Sequence, residues 1–98
     1  MSLPVILIPE AEEEAEQARD QLEQQRPGTG AKFLTRLRQV LDRIEAMPEI
    51  YAPIWQQVRA ARLRRYPFVV YYRVLPDRVE VIAVVHGSRD WSAWQGRV

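Results

Sequence analysis

The chain has 98 residues, of which 47% are apolar and 28% charged, a mix that predicts one globular domain over residues 1–98 rather than a disordered chain. A net charge of +1 implies no bulk attraction to nucleic acid. The lack of cysteine excludes a disulfide framework, a thiolate zinc site and a cysteine nucleophile together, so packing alone must hold the fold.

Residues 3–8 are short and β-branched, which predicts a strand. They are too few to span a membrane. No basic segment precedes them and an acidic run follows, unlike a secretory signal, so a cytoplasmic protein with no membrane partner is expected. Pro9 suits the first turn of a helix, and Glu10, Glu12, Glu13, Glu14 and Glu16 complement its positive end. Ala11, Ala15, Ala18 and Leu22 recur at helical spacing and make a seam of small residues that lets a neighbour approach closely. Residues 26–30, Arg-Pro-Gly-Thr-Gly, break this helix.

A second helix follows. Phe33, Leu37, Val40, Ile44 and Met47 step by three and four, Leu34 and Leu41 widen the stripe, and Pro48 ends it. The short connection predicts an antiparallel helix hairpin. Residues 48–56 are expected to be a loop. Three strands come next, over 58–64, 68–75 and 79–86, and the tight connections between them predict antiparallel hairpins. The order is β-α-α-β-β-β, an α+β fold with a helix hairpin packed on a small antiparallel sheet.

Charge is divided along the chain. Residues 1–50 carry six basic and ten acidic side chains, whereas residues 51–98 carry eight arginines and three acidic side chains. A solvated surface is the plain reading of such a pattern; a basic working surface in the second half is the sharper one. Arg59, Arg62, Arg64 and Arg65 fall within seven residues. If Leu63 points inward, Arg62 and Arg64 point outward, and Arg73 could join them across the hairpin, with Arg89 just beyond the last strand. Such a face, with Tyr71 among its arginines, suits a phosphate chain or an acidic peptide. It equally suits a strand edge protected by charge.

The last two strands are apolar on both sides. Strict alternation puts Phe68, Val70, Tyr72 and Val74 on one face of their strand, and Val79, Val81, Ala83 and Val85 on one face of the next. A helix hairpin covers a single face, which leaves Val69, Tyr71, Ile82 and Val84 in need of cover. A partner could supply it, or the C-terminal tail with Trp91 and Trp94 could fold back. Without cover, the lone chain is expected to self-associate or dissolve poorly.

Sites for chemistry are few. His86 is the only histidine, so no histidine-pair metal site exists, and no cofactor is expected. Its imidazole could serve as a general acid or base, or simply hydrogen-bond at a strand end. Ser88 lacks a visible triad. Residues 27–32 do not have Walker spacing. The cluster Glu12, Glu13 and Glu14 reads as dipole complementation.

The run from Leu63 through Tyr66, Pro67, Phe68 and Arg73 to His86, Gly87, Ser88, Arg89 and Asp90 resembles the RelE/ParE superfamily of toxins from bacterial type II toxin–antitoxin systems, also called plasmid stabilization proteins. Met47-Pro48-Glu49 and the opening residues 4–11 fit the same pattern. The resemblance covers nearly the whole chain. It implies a cognate antitoxin whose C-terminal segment wraps the toxin, and it suggests a homodimer or a toxin–antitoxin hetero-oligomer as possible assemblies.

RelE-like members cut messenger RNA on the ribosome. For that activity the resemblance would assign Arg62, Arg64, His86 and Arg89 as catalytic. Val69 stands where an arginine is expected, however, and no tyrosine follows Arg89. ParE-like members poison DNA gyrase by binding, and the Tyr66-Pro67-Phe68 turn and the spacing of His86 and Arg89 are closer to that side. The implied function is a ParE-like, growth-inhibiting gyrase inhibitor. Its target- or antitoxin-binding residues would be Arg62, Arg64, Val69, Tyr71, Arg73, Ile82, Val84, Arg89, Trp91 and Trp94. A RelE-like endoribonuclease or a degenerate, purely protein-binding member are the alternatives.

Overall fold

Small residues line the buried side of the first helix. In the computed structural model, which describes residues 2–98, helix α1 (Pro9–Gln25) lies against α2 (Thr29–Ala46), with Ala11, Ala15 and Ala18 buried between helix and sheet. The helices approach closely at Gly30, where a Cβ would stand 2.8 Å from the Arg19 carbonyl oxygen. Gly28 takes a left-handed φ of 91°, which turns the chain between the helices. The Glu23 carboxylate accepts from Gly28 N–H at 2.9 Å and from Gly30 N–H at 3.0 Å. A side chain of the first helix thereby caps the second, and its charge suits the positive end of that helix.

The helices cover one face of a five-stranded sheet in the order β1-β5-β4-β3-β2. Its strands are β1 (Val5–Leu7), β2 (Pro53–Trp55), β3 (Val58–Arg62), β4 (Phe68–Val74) and β5 (Val79–His86). Strands β2 to β5 pair antiparallel, and β1 joins β5 in parallel, so the sheet is mixed. The α+β architecture with its helix hairpin is as the sequence predicts.

Three details differ. Residues 53–55 form an edge strand inside the expected loop, where Pro53 is tolerated because no further strand pairs beyond it. Strand β3 stops at Arg62, which puts Arg64 in the turn to β4. Strand β5 carries a bulge: Tyr71 pairs with Ala83 and Tyr72 with Val81, leaving Ile82 as the extra residue. The bulge moves the later side chains by one step. Val79 and Val81 face the helices as alternation requires, but Val84 joins them there. Ala83 and Val85 turn with Ile82 to the other face.

Phe33 of α2 anchors the helical layer, meeting Tyr66 and Phe68 edge-on at 5.7 and 5.3 Å. At the other end of the sheet, the fully buried Tyr72 donates from its hydroxyl to the Pro48 carbonyl at 2.7 Å and ties the loop after α2 to β4. Burial pushes the Tyr72 phenol up to about 12, against the opposing pull of the Arg59 charge. The sign follows by linkage. A raised folded value gives stability that is present below the unfolded value of about 10 and lost as pH rises through the folded one. Wild-type protein is therefore expected to lose stability between pH 10 and about 12. Tyr72→Phe should cost about 1 kcal/mol at neutral pH from the lost hydrogen bond, and in urea melts across the alkaline range its deficit should shrink as wild type titrates.

Candidate functional site

The second sheet face is closed by the chain's own tail. A short helical turn, α3 (Ser92–Gln95), places Trp94 on it with 1% of its surface exposed. The indole stacks on Tyr71 at 4.6 Å and meets Trp55 of β2 edge-on at 5.8 Å. Val58, Val69, Ile82, Ala83 and Val85 complete this second core, with Ile54 and Ala60 at its margin. Burying side chains of this size contributes about 1.5–3 kcal/mol each, so the tail replaces the external cover that a bare face would need. One cost remains: the Trp94 indole N–H is buried without an acceptor, a penalty of about 1–3 kcal/mol that the stacking must exceed.

What pins the tail is an ion pair. Strand β1 covers the outer edge of β5 as far as Val81, whose carbonyl accepts from Ile8 N–H at 3.0 Å. Beyond that point side chains complete the edge. Glu14 of α1 accepts from Val84 N–H at 3.1 Å, and Arg97 donates to the Ile82 carbonyl at 2.9 Å. The two side chains also join each other, with Arg97 Nη1 and Nη2 at 2.9 and 3.0 Å from the two Glu14 oxygens. The hydrogen-bonded Glu14 carboxylate raises the Arg97 pKa above its ordinary value.

The expected site residues divide among several places. Val69, Tyr71, Ile82, Val84 and Trp94 are all buried within the chain itself. Val84 lies under the helices rather than on the second face, because of the bulge. Since these side chains already have cover, the ground for expecting the lone chain to self-associate is removed. Arg73 does not join Arg62: it is held by Glu80 at 2.9 Å, at the far end of the hairpin. Glu80 also receives Arg78 at 3.2 Å. Desolvation pushes the Glu80 carboxyl up, but the hydrogen bonds from Arg73 and Arg78 outweigh it and leave the group below its usual range.

Arg62 is exposed at the end of β3, beside a groove of about 530 Å³. Val69 and Tyr71 form part of the floor, and Ile54 and the half-open Trp91 contribute walls. His86 and Arg89 line a different recess of about 250 Å³ beside α1, with Glu14, Gln17 and Phe68. The imidazole Nδ1 of His86 accepts from Ser88 N–H at 3.0 Å and lies 2.7 Å from the Ser88 hydroxyl. Arg64 lines neither cavity. The four residues considered for catalysis thus do not share one cavity. What the arrangement offers is an arginine-edged apolar groove with a second arginine around the corner. Among the described residues no cluster of metal-ligating side chains occurs, and no helix is long and apolar enough to cross a membrane.

The sequence reading missed Glu14, Arg97 and Trp55. Glu14 sits inside a run of glutamates that all look alike as dipole complements, and nothing in Arg97 alone shows its partner 83 positions away.

A family model described as "ParE toxin of type II toxin-antitoxin system, parDE" matches residues 5–91. The chain is 29% identical over 59 residues to the protein named Toxin ParE2 of Mycobacterium tuberculosis, in both strain CDC 1551 / Oshkosh and strain H37Rv. That match spans 60% of this chain and 56% of the relative's length. Among solved structures, a chain of the chromosomal ParDE toxin–antitoxin system from P. aeruginosa superposes with a TM-score of 0.77 at 15% identity, covering 87% of this chain and 96% of that one. This likeness is one of fold.

Residues 92–98 lie outside the family match. Trp94→Ala is expected to cost about 3–5 kcal/mol in chemical denaturation. It should also uncover the second core, read as increased dye binding and concentration-dependent association in light scattering. Unchanged stability would mean that the tail does not hold this face.

Proposed function

The chain belongs to the family of ParE toxins of type II toxin–antitoxin systems, and we propose that it inhibits growth in the cytoplasm by binding DNA gyrase and is neutralised by a cognate antitoxin. The observation that supports this reading is that no second arginine stands beside Arg62 on the sheet: Val69 is its ladder partner, and Arg64 lies in the turn. Acid–base cleavage of RNA needs a proton-transfer group and charge-stabilising arginines around one phosphate. Binding needs only complementary surface, which the groove and its flanking arginines provide. Val69, buried in the floor of the groove, also supplies no charge for phosphate chemistry.

The antitoxin is read as an extended acidic segment lying in the groove beside Arg62 and Trp91. Opposite charge would steer such a segment, and burial of Ile54 and Trp91 would hold it. Arg89 fits a role in target binding. It is exposed and makes no ion pair among the described residues, so removing it should leave the fold intact.

Purified protein is expected to block supercoiling by gyrase in a dose-dependent way. Arg89→Ala should weaken the block about tenfold or more with the melting temperature unchanged. Complete supercoiling at excess toxin would overturn the gyrase reading. Cleaved transcripts in primer-extension maps after induction would instead favour a RelE-like endoribonuclease. Normal growth of the induced strain would point to a member that only binds protein.

A further inference from the structure

On the helical side, away from the groove, Lys32 and Arg36 of α2 meet Arg65 from the β3–β4 turn around a recess of about 220 Å³, walled by Tyr66 and Gln39. We propose that this recess binds a phosphate group, carried either by a small phosphate compound or by a polynucleotide backbone. The inference is independent of the gyrase reading, since it uses a different surface.

Three observations point the same way. First, no carboxylate lines the recess, and none of the three cations takes part in an ion pair among the described residues. Second, the arrangement is unfavourable as it stands. Lys32 and Arg36 are like charges one turn apart, and Lys32 sits in the first turn of α2, near the positive end of the helix. Arg65 adds a third positive charge. An anion in the recess would turn this repulsion into attraction. Third, Arg65 adopts a left-handed φ of 73°, a conformation that costs a non-glycine residue about 1–2 kcal/mol. Glycine or asparagine would be easier at that position; arginine there instead lines the recess. Guanidinium forks suit phosphate oxygens, and an ammonium adds a point charge.

The test is an amide NMR titration of the full chain with inorganic pyrophosphate and, separately, with a 12-nucleotide single-stranded DNA. Saturable shifts centred on residues 32–39 and 65–66 are expected. The double variant Arg36→Gln/Arg65→Gly should bind at least tenfold more weakly while keeping its melting temperature, since glycine accepts the positive φ. Arg38→Gln removes one positive charge from an exposed site on the same helix, outside the recess, and should change binding less than twofold. If the oligonucleotide binds more tightly through these residues, the phosphate comes from a polymer; if pyrophosphate alone saturates, it comes from a small compound. The proposal is overturned by absence of saturation with both probes, by shifts centred elsewhere, or by equal binding to wild type and the double variant.

Discussion

The fold depends on how the open edge of β5 is finished. That strand lies between β4 and the short edge strand β1, which reaches only to Val81 along its outer side. Past that point a carbonyl at Ile82 and an amide at Val84 need partners, because an unpaired polar group buried beside a core costs more than a hydrogen bond returns. The Glu14 carboxylate and the Arg97 guanidinium supply both, and each satisfies the other. One pair thus joins the first long helix, the bulged strand and the tail. It holds α3 where Trp94 can seal the second core. An exposed ion pair contributes little, but this one is partly buried and bidentate, and both partners also bond to backbone.

The tail changes what the second face can do. A sheet with two apolar sides and a helix hairpin on one would be an adhesive surface. With Trp94 in place, it becomes a closed core bordered by a groove. What remains open is Arg62, Ile54 and Trp91 around the groove, and His86 and Arg89 beside α1. The cations of the helical side form a third basic zone in the recess at Lys32, Arg36 and Arg65. A nearly neutral protein therefore presents local positive fields on separate surfaces, which net charge alone conceals.

Much of this was legible in residue spacing. The alanine seam predicts the buried side of α1, the three-and-four stepping of α2 predicts its buried stripe, and Leu63 predicts the inward position it takes. What stayed hidden depends on long-range partners. A bulge at Ile82 has no local marker among β-branched residues, yet it reverses the faces of Ala83, Val84 and Val85. Strand β2 is three residues long and begins with proline, so its pairing comes from β3 rather than from its own propensity. Arg73 looked like one more member of an arginine cluster, but the register of the hairpin sets it opposite Glu80. The need for a cover over the second face could be read from the sequence, which left partner and tail both open; the Glu14–Arg97 pair that holds the tail there could not.

A double-mutant cycle on Glu14 and Arg97 probes this arrangement most directly, with Glu14→Ala, Arg97→Ala and the double variant unfolded in denaturant. A shared edge closure requires strong coupling, about 1 kcal/mol or more, with either single change costing nearly as much as both together. Additive, small losses would mean that the tail is held by the stacking of Trp94 alone and that the ion pair is incidental.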